Sequence, residues 1–306
     1  MDMIRLRAGT QRGMRPGAVF LAVGTGIVLH ARRAMLHELR QAQAVAGAAQ
    51  SALLRPLPPD IAGLGLAAAQ LSADRGAAVG GDLYEVIATE HGVRVVMGDV
   101  RGHGLGALGT AAAVLGSFRE AAHDEPELGG VLRRLGRALA RHLRTREPGH
   151  PADEDFVTVL LLEIADDGRT KALNCGHPWP YRLRGQDMGP VSRVGPLPPL
   201  GAFPLPYDLP VEELGRLLPG DTLVLHTDGV ADARDARGRF FPLASVLGDV
   251  ARAGPLSSRS VLRAVFASLL RHTGHRRADD AAVLVIRNDR KASVRVRPPR
   301  GAGRCP

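Results

Sequence analysis

Aromatic side chains are scarce, at 4% of 306 residues. That argues against the stacked-base platforms that single-strand nucleic-acid binders build from them. Cysteine is nearly missing: Cys175 and Cys305 are the only two. Two are too few for a disulfide framework or a zinc site, so a reducing compartment is the simpler expectation. Lysine is rarer still among the basic residues. Only Lys171 and Lys291 interrupt the arginines, a bias that reads as genome composition as much as function. Long apolar runs are also lacking. The uncharged stretch at residues 16–31 (PGAVFLAVGTGIVLHA) falls just short of the length that spans a bilayer as a helix.

The net charge of +9 is unevenly spread. Residues 1–40 hold seven arginines against two acids, and residues 288–306 hold six Lys+Arg against one acid. Each end therefore carries +5, which leaves −1 for residues 41–287. A nucleic-acid binder would place its basic face on the folded body, so no nucleic-acid partner is expected. Basic tails suit an anionic membrane surface or solubility.

The chain divides into four stretches. Residues 1–31 form a basic N-terminus with the short apolar segment. Three readings of residues 16–31 stand open: a short membrane anchor, a secretory signal, and a buried helix. Arginines on both sides give orientation only weakly, and the basic stretch that follows fits a cytoplasmic catalytic domain. Residues 32–55 are rich in Ala, Gln, Leu and Arg and read as a helical linker. Its apolar stripe suits pairing with a second copy at residues 32–54, and equally packing on its own domain. Arg55-Pro56-Leu57-Pro58-Pro59 stops the helix. Residues 56–287 form the main domain, and residues 288–306 a disordered basic tail.

Within the main domain, strands are expected at 93–97, 156–164, 170–173, 181–184, 222–226 and 281–286. Helices are expected at 107–120, 129–143 and 261–270. Asp166-Asp167-Gly168 reads as a hairpin turn, and the Gly- and Pro-rich stretch 185–210 as a surface connection. Hairpins beside helices point to an α+β sandwich with antiparallel sheets rather than a βαβ repeat.

Four aspartates sit where the chain bends: Asp82 in GGD, Asp99 in GDVRGHG, Asp228 in TDG, and Asp279 in RADD. At least three lie at the end of an apolar, β-like run. Carboxylates gathered from distant segments repel one another unless a cation lies between them. A hard divalent metal, which prefers oxygen ligands, is the simplest such cation. Metal-assisted hydrolysis of a phosphate ester is the chemistry this points to. Gly80 and Gly81 let the backbone turn sharply before Asp82, and the glycines at 102, 104, 106 and 229 allow close approach of backbone.

Six segments in order carry a family resemblance: GGDLYEV at 80–86, VVMGDVRGHGLGA at 95–107, FVTVLLLEI at 156–164, NCGHPWPYRLR at 174–184, GDTLVLHTDGVADARD at 220–235 and DDAAVLVIR at 279–287. The chain from about residue 57 to 287 resembles the SpoIIE-like branch of the metal-dependent PPM (protein phosphatase 2C) family. The resemblance implies a four-layer α-β-β-α sandwich with two central antiparallel sheets, here preceded by an N-terminal helix. It implies hydrolysis of phosphoserine or phosphothreonine in a protein, and for bacterial members a substrate such as an anti-anti-sigma-factor-like protein in partner switching. It further implies two ions, Mn²⁺ or Mg²⁺, that activate water for attack on phosphorus. By motif match their ligands are Asp82, Asp99, the Val100 carbonyl, Asp228 and Asp279, with Asp280 an alternative or a neighbour of the ligands. Eukaryotic relatives have a histidine where this chain has Arg101, whose guanidinium suits a substrate phosphate. His103 is not assigned the acid role, and His177 reads as a turn residue, with Cys175 as core.

Two other classes compete. Gly104-Leu105-Gly106-Ala107-Leu108-Gly109 is literally G-x-G-x-x-G, the fingerprint of dinucleotide-binding oxidoreductases. Five residues separate its first glycine from the preceding strand, which breaks the tight turn that fingerprint needs. The other class is a phosphatase fold without activity that serves as an interaction module.

Overall fold

The computed structural model describes residues 16–71, 80–102, 104–145, 156–254, 257–274 and 280–291. His103, Asp279 and residues 292–306, each given a reading above, lie outside them.

The first helix, α1 (Pro16–Leu53), runs unbroken for 38 residues. The apolar segment and the linker were expected as separate pieces, yet no residue between them breaks a helix. Ala31-Arg32-Arg33 are good helix formers, so the backbone passes straight through. No helix among the described residues is long and apolar enough to cross a membrane, which leaves the membrane-anchor reading of residues 16–31 without support. The chain separates into two compact units, Met1–Val45 and Ala46–Pro306. In the first, the side chains of residues 24–38 are exposed.

The second unit is built on two antiparallel sheets. One has six strands in the order β1 (Asp60–Ile61), β2 (Leu64–Leu71), β11 (Ala281–Asn288), β10 (Thr222–His226), β7 (Tyr181–Arg184) and β8 (Asp187–Pro190). The other has five: β3 (Asp82–Thr89), β4 (Gly92–Val100), β5 (Val157–Ile164), β6 (Arg169–Cys175) and β9 (Glu212–Arg216). Five helices complete it: α2 (Leu105–Asp124), α3 (Leu128–Arg144), α4 (Asp228–Ala231), α5 (Leu243–Arg252) and α6 (Ser258–Thr273).

Side-chain alternation along the strands shows how the layers stack. On β4, Val96 joins a cluster with Phe118 of α2 and Leu132 of α3, while Val95 and Met97 face a second cluster with Leu225 and Leu284 of the other sheet. On β11, Leu284 and Ile286 belong to that same second cluster, and Val283 and Val285 pack with Val265 and Phe266 of α6. A period of two along strands buried on both faces gives three cores and four layers, α-β-β-α. The expected α+β sandwich is therefore the observed fold.

Every pair of named strands is antiparallel. The dinucleotide reading fails on this ground. Gly104 stands before α2, with Gly106 and Gly109 inside it, and no parallel βαβ unit surrounds them. Several elements were not anticipated, among them β1, β3 and the short α4. β2 (LGLAAAQL) has the composition of a helix but pairs with β11 over eight residues. β9 is a polar edge strand, and α5 follows the Asp-Ala-Arg-Gly turn at 235–238. The stretch 185–210 is not all connection, since β8 returns on β7 as a hairpin.

Candidate active site

Asp82 opens β3 and Asp99 lies near the end of β4, and the antiparallel register sets the two directly opposite one another. Like charges in that position repel. The other sheet supplies the rest. β10 ends at His226, Asp228 begins the short α4 just beyond it, and Asp280 precedes β11. Because β10 and β11 pair antiparallel, with His226 opposite Val283, the end of one strand and the start of the next fall at the same edge. Asp99, Asp228 and Asp280 line one cavity of about 250 Å³, together with Gly81, Val100, Arg101, Phe156 and Thr158.

Asp82 lies beneath this cavity and is 3% exposed. Its carboxyl is held well above the usual range, first by burial, then by the charges of Asp99 and Asp280, with Asp228 adding to them. Thr227 opposes the shift. Its Oγ1 donates to Asp82 Oδ2 at 3.2 Å and accepts from the Ala282 amide at 2.9 Å. One threonine thus ties the six-stranded sheet to the buried carboxylate of the other.

The glycines explain how backbone comes so close. A Cβ on Gly80 would stand 2.2 Å from Asp280 Oδ2, and one on Gly81 would stand 2.2 Å from the Val100 carbonyl oxygen and 2.8 Å from Asp99 Oδ1. On Gly229 it would meet the Asp280 carbonyl oxygen. Any other residue would push the strand ends apart. Gly102 and Gly104 play a different part from the close approach expected of them. Nothing lies near them, and their φ angles of 97° and 80° are what require glycine.

A second network supports Asp99 from below. Its amide donates to Thr158 Oγ1 at 3.1 Å, and Thr158 Oγ1 lies 2.9 Å from His177 Nδ1. The same hydroxyl lies 3.5 Å from the Asp99 carbonyl oxygen, so Thr158 joins both backbone groups of Asp99 to the His177 ring. Burial, with the nearby His226, pushes the His177 imidazole down to about 3. Burial therefore favours the neutral ring. Asn174 clasps the same turn: its Oδ1 accepts from the His177 amide and its Nδ2 donates to the His177 carbonyl, both at 2.9 Å. His177 is a turn residue that braces a site strand. The sequence marks the turn; the brace needs Thr158, 19 residues away, which lies in the 156–164 motif but carries no sign there of its contact with His177. Cys175 is buried in the core, its thiol pushed up to about 12 by burial.

Arg101 lines the cavity. Its amide donates to the Phe156 carbonyl at 3.0 Å, and its guanidinium lies 5.3 Å from the Phe156 ring centroid. Among the described residues no group of three or more His, Cys, Asp or Glu side chains is gathered tightly enough to hold a metal ion unaided. Asp279 lies outside the described residues, and the Val100 carbonyl is a donor of another kind. The donors suit a hard cation: all are oxygens, and the strain on ionised Asp82 is of the sort that a cation relieves.

Comparison with known proteins agrees with the architecture. The family model for stage II sporulation protein E (SpoIIE) matches residues 89–289. A search of curated proteins found no match. Among solved structures, the RsbU and RsbW domains of a Mycobacterium tuberculosis protein are 24% identical with a TM-score of 0.60, covering 74% of this chain and 60% of that one. The SiaA-PP2C domain of Pseudomonas aeruginosa is 22% identical with a TM-score of 0.63, covering 84% of this chain and 98% of that one. The PP2C phosphatase domain of SpoIIE from Bacillus subtilis, with a fragment of its regulatory domain, is 19% identical with a TM-score of 0.54, covering 73% and 62%. At these identities the likeness is one of fold. Since the SpoIIE model covers about two thirds of its length, the chain belongs to the SpoIIE family.

Proposed function

We propose that this chain hydrolyses phosphoserine or phosphothreonine in a protein substrate, with a divalent metal at the cavity between the two sheet edges. The observation that carries this reading is Asp82, a buried carboxylate crowded by Asp99, Asp280 and Asp228, beside a cavity that a phosphoryl group could enter. Asp82, Asp99, the Val100 carbonyl, Asp228 and Asp279 would hold two ions, Mn²⁺ or Mg²⁺, with Asp280 facing the cavity as alternative or support. Bound there, such ions would lower the pKa of water and balance charge on the phosphoryl oxygens. The chain's own residues orient these donors. Thr227 fixes the Asp82 carboxylate, Thr158 fixes the Asp99 backbone, and Arg101 at the cavity mouth suits two phosphate oxygens.

The further organisation belongs to the same proposal. Residues 56–287 act as the catalytic domain in the cytoplasm and residues 32–54 as a linker that pairs with a second copy; the basic tail expected from residue 288 starts later, because Asn288 closes β11 and Arg290 donates to the Ala62 and Ala165 carbonyls. The substrate is an anti-anti-sigma-factor-like protein in partner switching. The RsbU and RsbW domains found together in the Mycobacterium tuberculosis relative support that direction. The alternative is a phosphatase fold without activity that serves as an interaction module.

One experiment separates them. The purified full chain should turn over p-nitrophenyl phosphate with Mn²⁺ and lose this with EDTA. Asp228→Asn should lower the rate by roughly two orders of magnitude or more, as expected for loss of charge stabilisation at a reacting centre, with an unchanged circular-dichroism spectrum. A wild-type protein inert with every divalent metal, on this ester and on phosphoproteins alike, is the inactive module.

A further inference from the structure

The cavity at the carboxylates, about 250 Å³, holds a phosphorylated side chain and little more. Recognition of the protein that bears it must come from neighbouring surface. One groove adjoins the site through a single strand pairing. Phe156 lines the cavity, and the next residue, Val157, exchanges backbone hydrogen bonds of 2.9 and 2.8 Å with Leu200. Leu200 in turn lines a groove of about 470 Å³ between α3 and the connection that follows β8. Leu205 lies along it too, and Gly136 of α3 lets both leucines lie close, since a Cβ there would stand 3.4–3.5 Å from their methyl groups.

The rim has the composition of a recognition surface. In a chain with only 11 Phe, Tyr and Trp residues, two of them stand out here: Phe203 is 68% exposed and Tyr207 is 91% exposed. Arg133 Nη2 donates to the carbonyls of Pro206 and Tyr207, which pins the connection that carries the two rings. Beside them α3 carries five arginines and no acid. Arg137, which lines the groove, makes no ion pair among the described residues. Exposed aromatics flanked by arginine around an apolar trough are typical of interface hot spots.

We infer that this groove docks the stretch of the protein substrate next to its phosphorylated residue, and that this stretch is apolar with acidic residues. The inference rests on the phosphatase reading. A second copy paired through this same groove is a poorer occupant by charge, because it would bring the arginines of its own α3 towards Arg137.

The test uses the full chain with Mn²⁺ and three synthetic peptides that share a central phosphoserine. One has flanking arms of eight leucine and glutamate residues, one has arms of leucine and lysine, and one has no arms. The leucine–glutamate peptide should show kcat/KM about tenfold above the armless one, with the gain in KM. That corresponds to a modest 1.4 kcal/mol of added binding. Phe203→Ala and Arg137→Glu should each remove most of the gain and leave p-nitrophenyl phosphate turnover unchanged. Arg137→Glu should shift the preference to the leucine–lysine arms. Equal kcat/KM for armed and armless peptides overturns the inference while p-nitrophenyl phosphate turnover upholds the phosphatase reading. So does light scattering that shows a wild-type dimer which Phe203→Ala dissociates. Failure on p-nitrophenyl phosphate as well overturns both.

Discussion

Asp82 shows how site and stability oppose each other at single residues. Burial and three neighbouring carboxylates disfavour its charged form, and one hydrogen bond from Thr227 partly offsets them. Without a metal, the ionised side chain therefore destabilises the fold. Asp82→Asn keeps the shape and removes the charge. In EDTA its melting temperature should exceed that of the wild type, by about 2–4 °C for each kcal/mol relieved in a chain of this size. With Mn²⁺ the order should reverse, because the variant lacks a ligand, and turnover should be lost. A variant that melts below the wild type in EDTA would mean that further contacts stabilise the Asp82 carboxylate. In the sequence only the two glycines before it mark Asp82 as a carboxylate at a bend. The source of its strain was not legible, since Asp99, Asp228 and Asp280 come from segments joined only by the fold.

Among the elements, the connection from β6 to β7 carries the chain from the five-stranded sheet to the six-stranded one, and His177 sits buried in it. Arg94 performs a similar service elsewhere. Fully buried on β4, it pairs with Glu163 of β5 at 2.7 Å and donates to the carbonyls of Ala122, Glu125 and Pro126, which anchors the α2–α3 turn to the sheet. The connection has a signature in pH. In the unfolded chain His177 titrates near 6.5, and in the fold near 3. A depressed pKa contributes stability that is complete above about 6.5 and is lost as pH falls towards 3, because only the unfolded chain takes up the proton in that window. His226, also depressed by burial, adds to the slope. The urea midpoint should fall between pH 6.5 and 5, with His177 alone contributing up to about 1.4 kcal/mol per pH unit. His177→Asn, which keeps an acceptor for Thr158, should lose one proton's worth of that slope. An unchanged slope would show that the ring is already protonated or accessible in the native state.

At the scale of the molecule, the end of α1 meets the site's own framework. Gln50 Nε2 donates to the Gly80 carbonyl at 3.3 Å, and Arg119 links the Leu53 carbonyl at 2.8 Å to Glu85 on β3, the strand that begins with Asp82. The compact body begins at Ala46, before the proline boundary that the sequence suggests. Removing residues 1–45 should therefore leave Mn²⁺-dependent turnover within about twofold. Removing residues 1–54 strips Gln50 and Leu53 and should lower it about tenfold or more, on the scale of a misplaced catalytic group. Equal rates for the two truncations would show that these contacts do not hold the Gly80 turn.

The sequence alone determined a good part of this protein. Strand periodicity, the Asp-Asp-Gly turn at 166–168 and the order of the six motifs suffice for the α+β sandwich and its family, because each depends on residues close together in the chain. The Arg-Pro-Leu-Pro-Pro stop likewise fixed where α1 ends. What only the tertiary structure decided is the company each residue keeps: Thr227 under Asp82, Thr158 between Asp99 and His177, the helix end on Gly80, and β2 as a strand despite its alanines. Those pairings join positions tens to more than a hundred residues apart. They are set by sheet register and layer packing, which no local pattern of side chains records.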